Sequence, residues 1–202
     1  TITVNFANTT YDWDNMIAKP NATSTQVQQN AVATLTYHCG VSVNMNYSPQ
    51  GSGAYPSDIE YALETYFDYD TTLHDAYKEY YSDMEWKNML KSELDAARPV
   101  LYSGWDVNGA GHCFVCDGYD EDDYFHFNWG WGDYCDGYFA IGLLNPGTGG
   151  TGSGSGVYNE NNYILVGVVP NVPSISSPSD VVAEVDGHDV TITWTPDEEA
   201  HH

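Results

Sequence analysis

The chain has 202 residues and a mass of 22.3 kDa, enough for one sizeable hydrophobic core and a small appendage. Its 29 Asp and Glu residues outnumber 5 Lys and Arg, for a formal net charge of -24. Such a surface repels phosphate backbones and anionic headgroups, so nucleic acids and membrane surfaces are excluded as expected partners. The 42% hydrophobic fraction argues against an acidic disordered chain, and no apolar run is long enough for a membrane span.

The first half of the chain repeats one helix-start signal, a Ser or Thr followed three residues later by Glu or Gln, at Thr25, Ser57 and Ser82. In such a capping box the hydroxyl accepts from a free backbone amide, and the Glu or Gln side chain accepts from the amide of the capping residue. Apolar residues follow at helical spacing. We therefore predict three helices, the first ending at Gly40 and the third before Pro99.

Beyond Pro99 the hydrophobic period changes to two, which is typical of strands. Turns rich in Gly, Asp and Asn separate the predicted strands, which cover 100–105, 112–119, 124–129, 137–143 and 163–169. Short connections between successive strands imply antiparallel pairing, so the predicted fold class is α+β. The glycine-rich stretch Gly147–Gly156 is either a mobile flap over a cleft or a tolerated insertion.

The composition changes after residue 170 to a segment rich in Pro and Ser, which indicates a linker. Two alternating segments follow, the second reading DVTITW, and we interpret them as the start of an immunoglobulin-like or fibronectin-like β-sandwich module with the Trp facing its core. The last two histidines resemble the remnant of a purification tag. The predicted organisation is a domain, a linker, a partial β module and a tag remnant, at 1–170, 171–180, 181–200 and 201–202.

One histidine has a context that suggests chemistry. His112 follows the small residues Gly109–Gly111 and opens an apolar strand. A hairpin with the next strand would bring Asn128 alongside His112, with Trp129 shielding the pair from water. An Asn in that position orients an imidazole and fixes its tautomer, so that the ring can activate a thiol. The alternative is an ordinary strand histidine.

The four cysteines do not identify a metal or redox site. Cys113 and Cys116 have the spacing of such a pair, but residues three apart on a strand face opposite sides. No second CxxC or paired-His motif completes a zinc site, so we interpret both as structural thiols. The acidic run Asp120–Asp123 lacks the spacing of an EF-hand and favours a solvated hairpin tip over a calcium site.

Several motifs together resemble the streptopain family of papain-like bacterial cysteine peptidases. They include GAGHCFVCDGY at 109–119, NWGWG at 128–132 and the glycine-rich loop after them. Upstream, YDWDN at 11–15 resembles a YNWxN element, and CGVSVNMNY at 39–47 resembles a VGISVDMDY stretch. The resemblance covers about residues 11–170 and implies a papain-like fold with a Cys–His–Asn peptidase mechanism.

The resemblance also implies roles for individual residues. His112 would be the catalytic histidine, Asn128 its orienting partner and Trp129 the indole over their hydrogen bond. Further positions would line the substrate cleft, either by offering backbone groups to the substrate chain or by bordering the pocket for the second residue before the scissile bond. These implied substrate-binding residues are Ala110, Gly111, Ser52, Gly53 and Trp131.

One departure from the family pattern concerns the nucleophile. The family carries its cysteine in a GCVAT-like segment at a helix start upstream of the YDWDN element, and no such segment precedes that element here. Cys113 points away from His112 on its strand, and Cys116 lies roughly 13 Å farther along. Cys39 ends a helix, where the dipole raises a thiol pKa, and Cys135 lies in a turn. We expect all four thiols to be structural and the nucleophile to lie upstream of this chain.

We therefore interpret the chain as the histidine-bearing part of a secreted or cell-surface bacterial cysteine endopeptidase, lacking the N-terminal part of its domain and using no metal or organic cofactor. Its expected partners are a protein or peptide substrate and an N-terminal fragment or propeptide that carries the nucleophile. Two alternatives stay open. One is a degenerate peptidase-like binding module, and the other is a structural surface domain in which NWGWG is only core.

Overall fold

In a computed structural model of the chain, residues 3–147, 157–171, 179–186 and 189–195 are described. The chain divides into two units, Thr1–Pro170 and Asn171–His202. Most of the glycine-rich loop, most of the linker and the final histidine pair lie outside the described residues, so the interpretations given for them stay predictions.

Three α-helices form in the first unit, α1 at Gln26–Ser42, α2 at Asp58–Tyr66 and α3 at Asp83–Asp95. The capping boxes predicted at Thr25 and Ser82 are confirmed. In each, the hydroxyl accepts from the amide three residues later, and the side chain of that later residue accepts from the amide of the cap. These two helices therefore begin where local side-chain chemistry predicts.

The capping box predicted at Ser57 is wrong. Ser57 already has a helical backbone, and its side chain makes no capping hydrogen bond. The amide of Asp58 donates to the carbonyl of Tyr55 at 3.0 Å. The amide of Ile59 donates to the carbonyl of Pro56, also at 3.0 Å. A turn leads directly into α2 and pairs amides that a capping hydroxyl would otherwise serve.

The first helix also continues past its predicted end. Gly40 is buried inside α1, which runs to Ser42. A Cβ at Gly40 would lie 1.8 Å from the hydroxyl oxygen of Tyr47, so the missing side chain makes room for that ring. Gly40 is therefore required for close packing and does not end the helix.

The second half of the chain supplies five strands of a six-stranded sheet, and one strand comes from the first half. Its strands are β1 His74–Tyr77, β2 Val100–Trp105, β3 Gly111–Tyr119, β4 Tyr124–Asn128, β5 Gly137–Ala140 and β6 Glu160–Val166. Their order in the sheet is β1-β6-β2-β3-β4-β5, and every neighbouring pair is antiparallel. The four-residue β1 has no alternating signal of its own and was not predicted, because it is specified by pairing with β6.

The two faces of the sheet pack against different helices. One face joins Trp86 and Leu90 of α3 in the main core. Its buried strand residues are Ala76, Val100, Tyr102, Phe114, Cys116, Phe125, Phe127 and Ile164. On the other face, Tyr163 and Leu165 pack with Ile59 and Leu63 of α2. Because His112 precedes Phe114 and Cys116 with period two, its side chain extends the aromatic face.

The five cations of the chain all lie in ion pairs with carboxylates. Two of them, Lys87 and Lys91 of α3, contact the same carboxylate, Asp123, in the turn between β3 and β4. In that turn, Asp120 accepts from the amides of Asp122 and Tyr124 at 3.0 and 2.9 Å. The acidic hairpin tip is thus tied to α3 and to its own backbone. Over the described ranges, no group of three or more His, Cys, Asp or Glu side chains is placed to hold a metal ion.

The described residues of the second unit form one antiparallel strand pair, β7 at Ser179–Asp186 and β8 at Asp189–Thr195. Its assignment to an immunoglobulin-like or fibronectin-like module stays a prediction. In the part of the chain that the structure describes, no helix is both long and apolar enough to cross a bilayer.

The contrast between Ser82 and Ser57 gives a matched test of the helix caps. Because the Ser82 hydroxyl accepts from the amide of Glu85, Ser82→Ala should lower the free energy of unfolding by about 1 kcal/mol. Ser57→Ala removes no capping hydrogen bond and should leave it within about 0.5 kcal/mol of the parent value. Urea unfolding measures both. Equal losses in the two variants would contradict this account of the caps.

Candidate active site

His112 lies at the start of β3, where a backbone carbonyl sets the direction of its ring. Nε2 of His112 lies 2.8 Å from the carbonyl oxygen of Trp129. A carbonyl oxygen can only accept a hydrogen bond, so Nε2 carries the proton and Nδ1 is the nitrogen that can take one up. The geometry therefore selects the tautomer that a general base requires.

Aromatic rings surround the half-buried imidazole on several sides. The ring of Trp131 stacks on it with 4.9 Å between centroids and 22° between planes. The rings of Tyr158, Phe114 and Trp129 follow at 5.4, 5.8 and 6.4 Å. Desolvation by this enclosure lowers the pKa of His112, and the hydrogen bond to the Trp129 carbonyl partly offsets the shift.

The sequence predicted that Asn128 would lie beside His112, but in the structure it does not. It pairs with Val115 across the β3–β4 hairpin, three residues from His112 and so on the opposite face of the sheet. Its side-chain oxygen accepts from the amide of Gly130 at 2.8 Å. The structure thus brings the backbone of Trp129, and not the side chain of Asn128, to the imidazole. A catalytic role for Asn128 stays a prediction.

The loop before His112 is shaped by a carboxylate. Oδ1 of Asp106 accepts from the amides of Asn108 and Ala110, both at 2.8 Å. The amide of Asp106 in turn donates to the carbonyl of Ala110 at 2.9 Å, so both backbone groups of Ala110 are engaged. Gly111 lies under the indole of Trp105, where a Cβ would be 2.6 Å from Nε1. Both predicted substrate-binding residues are therefore held in place by local contacts.

Ser52 and Gly53 lie on a separate exposed hairpin. Gly53 pairs with Asn46 through two backbone hydrogen bonds of 2.9 and 3.3 Å. The place of this hairpin beside a substrate pocket stays a prediction.

The positions of Cys113 and Cys116 on β3 do not suit a nucleophile paired with His112. Cys116 is buried in the core, whereas Cys113 is on the other face of β3, as predicted from their spacing. Desolvation raises the pKa of Cys113 to about 11 and that of Cys116 to about 12. Burial also raises the pKa of Cys39. All three thiols are protonated at neutral pH, which disfavours them as nucleophiles.

A buried hydrogen-bond chain connects α3 to the wall of the site. Nε1 of Trp86 donates to the Tyr102 hydroxyl at 3.2 Å, and that hydroxyl donates to Oδ1 of Asn162 at 3.1 Å. Nδ2 of Asn162 donates to the carbonyl of Tyr158 at 2.8 Å. Gly104 permits this approach, since a Cβ there would lie 2.3 Å from the same carbonyl. The chain of bonds thus holds Tyr158 against His112.

Sequence reasoning missed several of these supporting residues. Asp106 could have been found, because Asp106, Asn108 and Gly109 form a recognisable turn pattern. Tyr158 and Asn162 carried no such signal, since their contacts join segments that are far apart in the sequence. Trp131 was predicted to line a cleft, and among the rings described here it is the nearest to His112.

Comparison with known proteins places these features in one family. The model of the peptidase C10 family matches residues 1–139. The thiol protease/hemagglutinin PrtT of Porphyromonas gingivalis is 39% identical over 161 residues, which cover 80% of this chain and 18% of that protein. Streptopain of Streptococcus pyogenes is 36% identical over 160 residues, which cover 79% of this chain and 40% of that protein. The chain thus spans less than half the length of these relatives.

Two solved structures share the fold of this chain. The active wild-type interpain A cysteine protease of Prevotella intermedia aligns with a TM-score of 0.70 at 38% identity, over 80% of this chain and 65% of that chain. A fragment of prointerpain A aligns with a TM-score of 0.67 at 37% identity, over 84% of this chain and 51% of that chain. The predicted α+β, papain-like fold is confirmed.

The lowered pKa of His112 predicts how acid affects stability. The ordinary value is 6.5, and the folded state binds the proton less tightly than the unfolded chain does. The neutral His112 ring contributes to the free energy of unfolding. This contribution is fully present above about pH 6.5 and is lost as the pH falls through the pKa of His112 in the folded state. Urea unfolding across this range should show this loss, and His112→Gln should remove it. An NMR midpoint for His112 at or above 6.5 would contradict the prediction.

Two glycine substitutions test how Tyr158 is held. Gly104→Ala places a Cβ against the Tyr158 carbonyl and should lower the free energy of unfolding by about 1–3 kcal/mol. It should also raise the pKa of His112, because Tyr158 moves away and the ring is less desolvated. The control is Gly118→Ala, whose Cβ would meet its nearest neighbour at 3.6 Å. Thermal unfolding and NMR titration should show no loss of stability and no pKa change in the control.

Proposed function

The chain belongs to the peptidase C10 family, as its streptopain-like motifs predicted, and on that premise we propose that it forms the histidine-bearing part of a secreted cysteine endopeptidase. The observation that carries the proposal is the 2.8 Å contact between Nε2 of His112 and the Trp129 carbonyl. This contact leaves Nδ1 of the same ring as the base. Proteins or peptides are the proposed substrates.

In the proposed reaction, a cysteine thiol gives its proton to Nδ1 of His112, and the thiolate attacks the carbonyl carbon of the scissile peptide bond. The imidazolium protonates the leaving amine as the C–N bond breaks, which leaves an acyl-enzyme. Water then attacks the acyl carbon and gives a proton to Nδ1. That proton returns to the sulfur as the thioester bond breaks, and the acid product is released.

The nucleophile is proposed to come from a segment upstream of this chain, as an N-terminal part of the same protein or as a separate fragment. The raised pKa values of Cys39, Cys113 and Cys116 support this assignment, because a catalytic thiol needs a lowered pKa. A thiolate close to Nδ1 would favour the charged imidazolium and oppose the desolvation that lowers the pKa of His112 in this chain.

Asn128 is proposed to orient the imidazole indirectly, through one peptide group. Its side-chain oxygen accepts from the amide of Gly130, and the carbonyl of that same peptide, belonging to Trp129, accepts from His112. A hydrogen bond at the amide polarises the peptide and strengthens its carbonyl as an acceptor. Asn128 would therefore keep the role that the family resemblance implies, but act through the backbone.

The substrate cleft is proposed to lie along the exposed side of the imidazole. Trp131 stacks on His112 and would flank the reacting carbonyl. Gly111 and Ala110 would approach the substrate backbone, with the second lone pair of the Ala110 carbonyl available to accept a hydrogen bond. The Ser52–Gly53 segment would border the more distant pocket.

Activity of a longer protein that contains this chain tests the role of His112. His112→Ala should lower kcat/KM by on the order of 10²–10⁴-fold, because the general acid–base is lost. His126→Ala is the matched control, since His126 lies on the neighbouring strand and pairs with Asp117. The control should retain activity. Retained activity in His112→Ala, with a large loss of stability, would overturn the assignment.

Intact-protein mass spectrometry after treatment with a peptidyl epoxide locates the nucleophile. The expected result is an adduct on a longer chain or on a co-purifying N-terminal fragment. An adduct on one of the four cysteines of this chain would contradict the upstream nucleophile. If neither the longer protein nor any fragment is labelled, the proposal of a peptidase fails and an inactive binding or structural module replaces it.

A further inference from the structure

A carboxylate at the base of the loop after β4 contacts the backbone that holds the imidazole. Asp136 precedes the first residue of β5, and Trp129 follows the last residue of β4. The amide of Trp129 donates to Oδ1 of Asp136 at 2.9 Å in a partly buried position. Trp129 is thus held through its amide by Asp136, while its carbonyl accepts from His112.

The loop that this contact closes has an unusual backbone. Between Trp129 and Asp136, positive φ angles occur at Gly130, Gly132, Asp133 and Cys135, with values of 74°, 67°, 68° and 63°. Asp133 and Cys135 are not glycines, so the left-handed conformation is unfavourable for both and must be imposed by contacts. The same loop carries Trp131, which stacks on His112 at 4.9 Å. Its closure therefore controls both the carbonyl and the indole beside the imidazole.

We infer that Asp136 is a positioning residue for His112, acting through the backbone of Trp129. The inference rests on the proposed function, because it names a residue that would orient the base of that reaction. With the Trp129 amide held by the carboxylate, the following carbonyl faces Nε2 and the ring keeps Nδ1 available for proton transfer. Without it, the base of the loop loses one hydrogen bond and the carbonyl is free to turn away.

The carboxylate acts by geometry and not by its charge on the imidazole. Desolvation lowers the pKa of His112, and the hydrogen bond that Nε2 donates to the Trp129 carbonyl raises it. Asp133, in the same loop, instead forms an ion pair with Lys19. It therefore provides a control aspartate in the same loop whose described pairing is with a cation and not with the Trp129 amide.

NMR of the nitrogen-labelled 202-residue chain at neutral pH tests the inference. The probe is the proton on Nε2 of His112, whose exchange with water is slow only while the hydrogen bond to Trp129 holds. Asp136→Ala should make this exchange about tenfold faster, as expected when the neutral hydrogen bond from Nε2 to the Trp129 carbonyl is lost. Asp136→Asn keeps an oxygen acceptor and should restore slow exchange. Asp133→Asn should match the parent chain.

Exchange unchanged in a folded Asp136→Ala variant would overturn the inference, as would equal effects of Asp136→Ala and Asp133→Asn. If Asp136→Ala does not fold, Asp136→Glu replaces it, because the longer side chain keeps the charge but displaces the carboxylate from the Trp129 amide. Exchange of the Nε2 proton should then also be faster than in the parent chain, and unchanged exchange in that folded variant would overturn the inference. Because these measurements need no peptidase activity, their failure is distinct from failure of the epoxide labelling.

Discussion

The contact between Nε2 of His112 and the Trp129 carbonyl limits what the imidazole can do. It fixes the tautomer, because a carbonyl accepts and does not donate. It also fixes the ring plane, which lies 22° from the plane of Trp131. Desolvation and this hydrogen bond shift the pKa of His112 in opposite directions, and desolvation dominates. In this chain the ring is therefore neutral at neutral pH, which is the state that accepts a thiol proton.

The sheet supports that contact through an aromatic face and through a series of buried hydrogen bonds. Tyr102, Phe114 and Phe127 form a continuous aromatic face beneath the imidazole. The buried bonds from Trp86 through Tyr102 and Asn162 join the same face to the Tyr158 backbone. Satisfied polar groups inside an apolar core specify one arrangement, because any other leaves a buried group unpaired. The proposed chemistry thus relies on a rigid wall made largely of hydrophobic residues.

The strongly acidic composition also has a structural consequence. With 29 carboxylates and 5 cations, each Lys or Arg has many possible partners, yet two of them contact Asp123 and fasten α3 to the β3–β4 hairpin. Arg98 pairs with the buried Glu93 near the end of α3. Hydrogen bonds from Arg98 and from the Gly167 amide balance the burial of that carboxylate. The cations therefore join elements of the fold, and the remaining surface stays negative.

The amino-acid pattern alone was enough for the antiparallel strands β2 to β4 and for the starts of α1 and α3. Those features depend on local periodicity and on caps within four residues. Two predictions about helix ends were wrong because nothing local signalled the outcome. At Ser57 a turn replaces the capping box, and Gly40 stays helical because it makes room for Tyr47. The hydrogen-bond partner of the imidazole had no local signal either. Only the strand register, which pairs Asn128 with Val115, decided that a backbone carbonyl and not the Asn128 side chain reaches His112. Register and long-range packing depend on residues far apart in the chain, so tertiary structure was needed to define them.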